Sequence, residues 1–175
     1  MKYFNAFNVE DLYLQVEYNQ VRPYTYSHNT ITLNYGHNNQ SMAHLWGANF
    51  RELVAISRYK YERYYGYVKM VYGQRGFDFN TPEDSAAYGG DIYTSEYDRA
   101  YETGVEIGQG NTTNSFFAET EAGYIVNPTT NLKIYGSFIY RNFSPTINTP
   151  TTFENTTYWL NFGIRTDIFN WYYDY

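Results

Sequence analysis

Cysteine is missing from all 175 residues, which removes disulfides, thiolate nucleophiles and thiolate metal ligands together. Charge is sparse as well. Only 17% of residues are charged, and 18 acids outnumber 12 bases to leave a net charge of −6, a balance that argues against a nucleic-acid backbone as the main partner. No apolar run reaches the roughly 18 residues of a membrane-spanning helix. The opening Met1-Lys2-Tyr3-Phe4-Asn5 shows no secretory-signal pattern, so a targeting segment, if the protein is exported, is expected outside this stretch.

What the chain has instead is aromatic side chains. Its 23 Tyr, 12 Phe and 3 Trp make up 22% of the residues, a content that disfavours disorder. With a mean hydropathy of −0.62, so many rings and so few charges fit a sheet with one apolar and one polar face. The alternation is plainest from Phe116 to Tyr140. Phe116, Ala118, Thr120, Ala122 and Tyr124 share one parity, and Phe117, Glu119, Glu121 and Gly123 share the other. After Asn127-Pro128-Thr129-Thr130 the pattern restarts, with Leu132, Ile134, Gly136, Phe138 and Tyr140 against Lys133, Tyr135, Ser137 and Ile139, which predicts a long hairpin.

The same period predicts strands over 12–21, 51–62, 67–77 and 157–168, the second and third joined by a turn at Arg63-Tyr64-Tyr65-Gly66. Long connections fall at 22–50, 78–113 and 141–156, within a single domain spanning 1–175. Long and short connections alternate, so an antiparallel meander would gather every long loop at one end. The expectation is therefore all-β: about six long strands forming the C-terminal portion of a transmembrane outer-membrane β-barrel, located in the cell outer membrane and facing its lipid. Tyr64-Tyr65, Tyr67 and Trp171-Tyr172-Tyr173 would form its interfacial girdle. A passive structural or porin-like barrel, and a soluble β-sheet binding module, are the alternatives.

On the polar parity, Glu17, Arg58, Lys60, Lys69, Arg75, Glu119, Glu121, Lys133 and Arg165 are the candidate ligand-binding residues. They would form either a charge network along the wall or a path for a surface polysaccharide or other anionic glycan. No catalytic, cofactor or metal site is expected, and the chain reads as non-enzymatic. Glu119 and Glu121 lie about 7 Å apart on one side of a strand, where they cannot flank a glycosidic bond from opposite faces. His28, His37 and His44 match no compact zinc spacing. Gly89-Gly90-Asp91 lacks an EF-hand register, and Gly108-Gln109-Gly110 lacks the Lys-Ser/Thr pair of a phosphate loop.

Several stretches carry a resemblance. Leu14-Gln15-Val16-Glu17-Tyr18-Asn19, Tyr35-Gly36-His37-Asn38-Asn39-Gln40, Gly73-Gln74-Arg75-Gly76-Phe77-Asp78 and Leu132-Lys133-Ile134-Tyr135 are similar to the C-terminal barrel region of the Wzi-like capsule-assembly family of Bacteroidota outer-membrane proteins, in its gliding-motility branch. The resemblance implies a barrel of many more strands, a role in capsule or exopolysaccharide assembly or attachment or in gliding motility, and motility or secretion machinery as partners. It carries over no catalytic residue.

Overall fold

The computed structural model describes residues 1–166. Its strands are β1 (Lys2–Phe4), β2 (Tyr13–Val21), β3 (Gly36–His37), β4 (Gln40–Ser41), β5 (Phe50–Tyr61), β6 (Tyr64–Phe77), β7 (Asn111–Asn127), β8 (Leu132–Pro145) and β9 (Asn155–Arg165). Seven of them form one antiparallel sheet in the order β1-β2-β5-β6-β7-β8-β9, and β3 and β4 pair separately within the first long connection.

Local chemistry sets the turns. Glu62 takes a left-handed conformation (φ 52°) and, with Arg63, closes the β5–β6 hairpin, so Tyr61 pairs with Tyr64. The turn thus falls earlier than the expected Arg63–Gly66, and Tyr64 to Gly66 belong to β6. In the β7–β8 hairpin, Asn127 Oδ1 accepts from the Thr129 N–H at 3.0 Å and Asn131 supplies a left-handed residue (φ 49°), both ordinary uses of Asn in turns. Arg141 to Ser144, expected in a loop, continue β8 because Arg141 and Phe143 keep the parity of Ile139. The strand ends at Pro145, which has no N–H to offer the ladder.

The barrel expectation is overturned by the sheet itself. β1 and β9 are its two edges, and no pairing links them among the described residues. Closure needs strands of matched length and a consistent stagger, and the three residues of β1 cannot pair along the eleven of β9. An open edge also leaves a row of backbone N–H and C=O groups unpaired, at several kcal/mol for each group placed in hydrocarbon. The chain is an open two-faced sheet, and the transmembrane barrel, the outer-membrane location and the barrel-based role in capsule assembly or gliding motility are corrected accordingly. Alternation reports two unlike faces; it does not report closure. Of the proposed aromatic girdle, Tyr64, Tyr65 and Tyr67 lie on β6, whereas Trp171-Tyr172-Tyr173 and the end of the expected last strand fall outside the described residues.

Antiparallel pairing puts directly opposed residues on the same face, so the register builds the faces row by row. One row runs Glu17, Val54, Val71, Phe117, Arg141, Thr157 across β2 to β9, and the next runs Gln15, Ile56, Lys69, Glu119, Ile139, Trp159. These belong to the polar face. The opposite face carries rows such as Leu14, Ser57, Val68, Thr120, Phe138, Leu160, and among its paired residues Arg51 alone is charged.

Most of the best-buried residues lie at the end of the sheet where the connections 22–49, 78–110 and 146–154 fold over the strands, Ala6 at the other end being an exception. Ala48, Asn49, Phe50 and Asn111 are fully buried there. Asn49 is the knot. Its Nδ2 donates to the carbonyls of Gly76 (3.3 Å), Tyr88 (3.0 Å) and Gln109 (2.9 Å), and its Oδ1 accepts from the Gly108 N–H at 2.6 Å. Gly76 makes room for it, since a Cβ at that position would lie 1.9 Å from the Gln109 carbonyl oxygen. Asn49→Ala leaves these buried groups without their partner and is expected to lower unfolding stability by about 2–4 kcal/mol. The more exposed Asn114→Ala should change it by less than about 0.5 kcal/mol. Urea unfolding of both variants checks this, and equal midpoints would contradict the role given to Asn49.

Candidate functional site

All nine charged residues singled out in the sequence fall on the polar face, distributed over two recesses. The upper recess, about 830 Å³ and nearest the loops, is bordered by Glu17, Lys69 and Arg75. The lower one, about 570 Å³, is bordered by Arg58, Lys60, Glu119, Glu121, Lys133 and Arg165. Lys2 opposes Gln15 and Arg141 opposes Phe117, so both join this face. Its paired strand residues thus carry eight basic and four acidic side chains, a surplus of four positive charges in a chain whose net charge is −6.

Aromatic rings hold these cations. Arg58 lies 5.6 Å from the centroids of both Tyr13 and Tyr67, Lys69 lies 5.9 Å from Phe117, Lys133 lies 5.3 Å from Tyr65 and Arg165 lies 4.8 Å from Tyr135. Near the loops, Arg75 sits 4.5 Å from Phe77 and Arg141 sits 6.0 Å from Phe143. The rings leave the cations positively charged and restrict where they point.

In the lower recess Glu121 is the organising acid. Its Oε1 accepts from Arg165 Nη2 at 2.6 Å and from the Tyr65 hydroxyl at 2.9 Å. Burial would lower the Arg165 pKa, but the hydrogen bond and charge of Glu121 outweigh it and hold the guanidinium above its ordinary value. Tyr65 is pushed up to about 12, first by burial and then by the hydrogen bond to Glu121 and its negative charge. Tyr67 is raised by burial and by Glu119. Glu119 and Glu121 stand side by side on β7, not opposed across a cleft.

The upper recess combines an apolar floor of Val54, Ile56, Val71 and Phe117 with polar walls. Its loop side holds residues that the sequence pattern did not single out for this face. Trp46 lies over Gly73, where a Cβ would come within 2.4 Å of the indole, and its edge meets Phe50 at a centroid distance of 5.5 Å. His44 stacks on Phe50 at 4.4 Å. Its Nδ1 accepts from the Trp46 N–H at 3.1 Å, so the neutral ring carries its proton on Nε2 and donates it to Glu52 Oε1 at 3.0 Å. Asn19 Nδ2 donates to the same oxygen at 2.9 Å. Arg75 donates through Nη2 to the Gly90 carbonyl at 3.0 Å while its buried Nε has no partner among the described residues. Burial lowers its pKa against the opposing pull of Asp91 and Asp78.

Other motifs resolve into local packing. The Gly89 and Gly90 carbonyls accept from the Tyr24 N–H and from Arg75, and Asp91 Oδ1 accepts from the Tyr93 N–H. His28 Nδ1 accepts from the Thr30 N–H, and His37 lies in β3. Among the described residues no group of three His, Asp or Glu is disposed to hold a metal ion, and no helix is long and apolar enough to cross a membrane. Glu52, Arg141, Tyr65 and Tyr67 were accessible to parity counting. Trp46 and His44 arrive from a loop and had no such signal.

The raised Tyr65 pKa has a measurable sign. The folded state keeps the Tyr65 proton more tightly than the unfolded chain, whose value is near 10, so this contribution is complete below pH 10 and is lost as pH rises toward about 12. In an ultraviolet phenolate titration, Tyr65→Phe should remove a step near pH 12, and Glu121→Gln should move that step down part of the way, burial maintaining the rest. Loss of an ordinary step near pH 10 in Tyr65→Phe would contradict the arrangement.

No family model matches the chain, and neither a curated protein nor a solved structure matches it. The likeness to the Wzi-like capsule-assembly family is corrected by the sheet, which among the described residues lacks the closed wall that such a barrel requires. Short alternating stretches rich in Tyr, Asn and Gly arise wherever a two-faced aromatic sheet is joined by tight turns.

Proposed function

We propose that the chain is a non-catalytic β-sheet binding module whose polar face holds an extended acidic saccharide. One observation carries this reading: the polar face has a surplus of four positive charges while the chain as a whole is at −6, so a polyanion is attracted to this face and repelled elsewhere. Chemistry at the two recesses supports it. The lower recess offers cations splayed over rings, suited to repeated carboxylates. The upper recess offers apolar and aromatic surface beside Asn19, Glu52 and Arg141, suited to a ring with an apolar side and hydroxyl groups. Side-by-side placement of Glu119 and Glu121, with Glu121 engaged by Arg165 and Tyr65, supports binding over hydrolysis.

Isothermal titration with a uronic-acid oligosaccharide tests the proposal. Binding should weaken with added salt, because the contacts are exposed charge pairs. Arg58→Gln combined with Lys60→Gln should reduce affinity about tenfold, equivalent to removing about 1.4 kcal/mol. A neutral oligosaccharide of the same length should bind far more weakly. Equal binding of acidic and neutral chains, no binding of either, or preferential binding of single-stranded DNA would each overturn the proposal.

A further inference from the structure

The apolar face is the largest feature that the polar face leaves unexplained. Exposure there is highest on the edge strand β9: Val16, Leu53 and Met70 are 47–48% exposed, whereas Leu160, Phe162 and Ile164 on β9 are 62–78% exposed. Solvent does not favour so continuous an apolar surface, which exceeds the few hundred Å² usual for a monomer.

We infer that this face is an interface for a second copy of the chain, packed apolar face to apolar face about a twofold axis near β8 and β9. Three observations select this occupant. The first is area: roughly a dozen large side chains, each exposing on the order of 100 Å², offer about 1,200 Å² per copy against the ~800 Å² per partner of a standard stable interface. The second is charge. An isologous contact places each group against a copy of its own surroundings, and the only charged residue among those paired on this face is Arg51, whose Nη2 is bonded to Gln74 Oε1 at 2.7 Å beside the loops and away from the centre of the contact. The third is the edge. β9 has no outer neighbour in the sheet among the described residues, so a hydrocarbon cover would strand its unpaired backbone groups, while a second sheet stacked about 10 Å away leaves them in water. This interface lies opposite the proposed saccharide face and stands or falls independently of it.

Light scattering coupled to size-exclusion chromatography, in buffer without detergent, should give twice the 20.7 kDa chain mass. The pair Leu160→Glu and Phe162→Glu should give the single-chain mass with an unchanged far-ultraviolet spectrum. Because that pair could also disturb β9, the cysteine-free background allows a gentler test. Leu160→Cys should form a disulfide-linked dimer under mild oxidation at least tenfold faster than Asn161→Cys, whose side chain lies on the opposite face. A single-chain mass for the unmodified protein, dispersion only with detergent bound to the face, or equal cross-linking at 160 and 161 would each overturn the inference.

Discussion

The fourteen-residue β6–β7 ladder, in unbroken register from Tyr64↔Tyr124 to Phe77↔Asn111, is the constraint on which the molecule depends. Side chains alternate with a period of two, so a slip of one residue between β6 and β7 would put Lys69 on the opposite face from Glu119 and Glu121 and set Val68 and Met70 beside those acids. Among the described residues no second layer of strands or helices within the chain covers the apolar face to correct such an error. The register itself sorts the charges, and the charge sorting defines the two faces.

The loops fix the upper end of this arrangement. Asn49 gathers carbonyls from Gly76, Tyr88 and Gln109 into one buried knot, and that knot precedes β5 directly. Phe50, the first residue of β5, is fully buried and supports both His44 and Trp46. The upper recess therefore owes its loop wall to the same residues that start β5. Its apolar floor comes from strand alternation and its aromatic wall from the connection 22–49, so two different physical causes meet there.

Much of the sheet was legible because alternation and turn chemistry agree. The β7–β8 hairpin follows from parity on both arms and from Asn127 and Asn131 at its turn, and the nine charged candidates share a face because each holds the right parity on a paired strand. The turn at Glu62-Arg63 was displaced because both central residues are charged and neither is the Gly or Asn that marks such turns. The Pro and Asn that follow Arg141 are loop signals, although its parity with Ile139 and Phe143 keeps it in β8. Closure is not legible in strand alternation for a deeper reason. Whether a two-faced meander closes depends on edge length and stagger, and neither is a property of any single strand. The contributions of Trp46 and His44 depend on the path of the connection 22–49, which periodicity does not encode.

The most direct test of the two-faced account is side-chain nuclear magnetic resonance during titration with an acidic oligosaccharide. Val54 and Val71, on the polar face, should shift progressively with ligand, while their strand neighbours Leu53 and Met70 on the apolar face remain in place. Shifts confined to Leu53 and Met70, or spread equally over both parities, would contradict it.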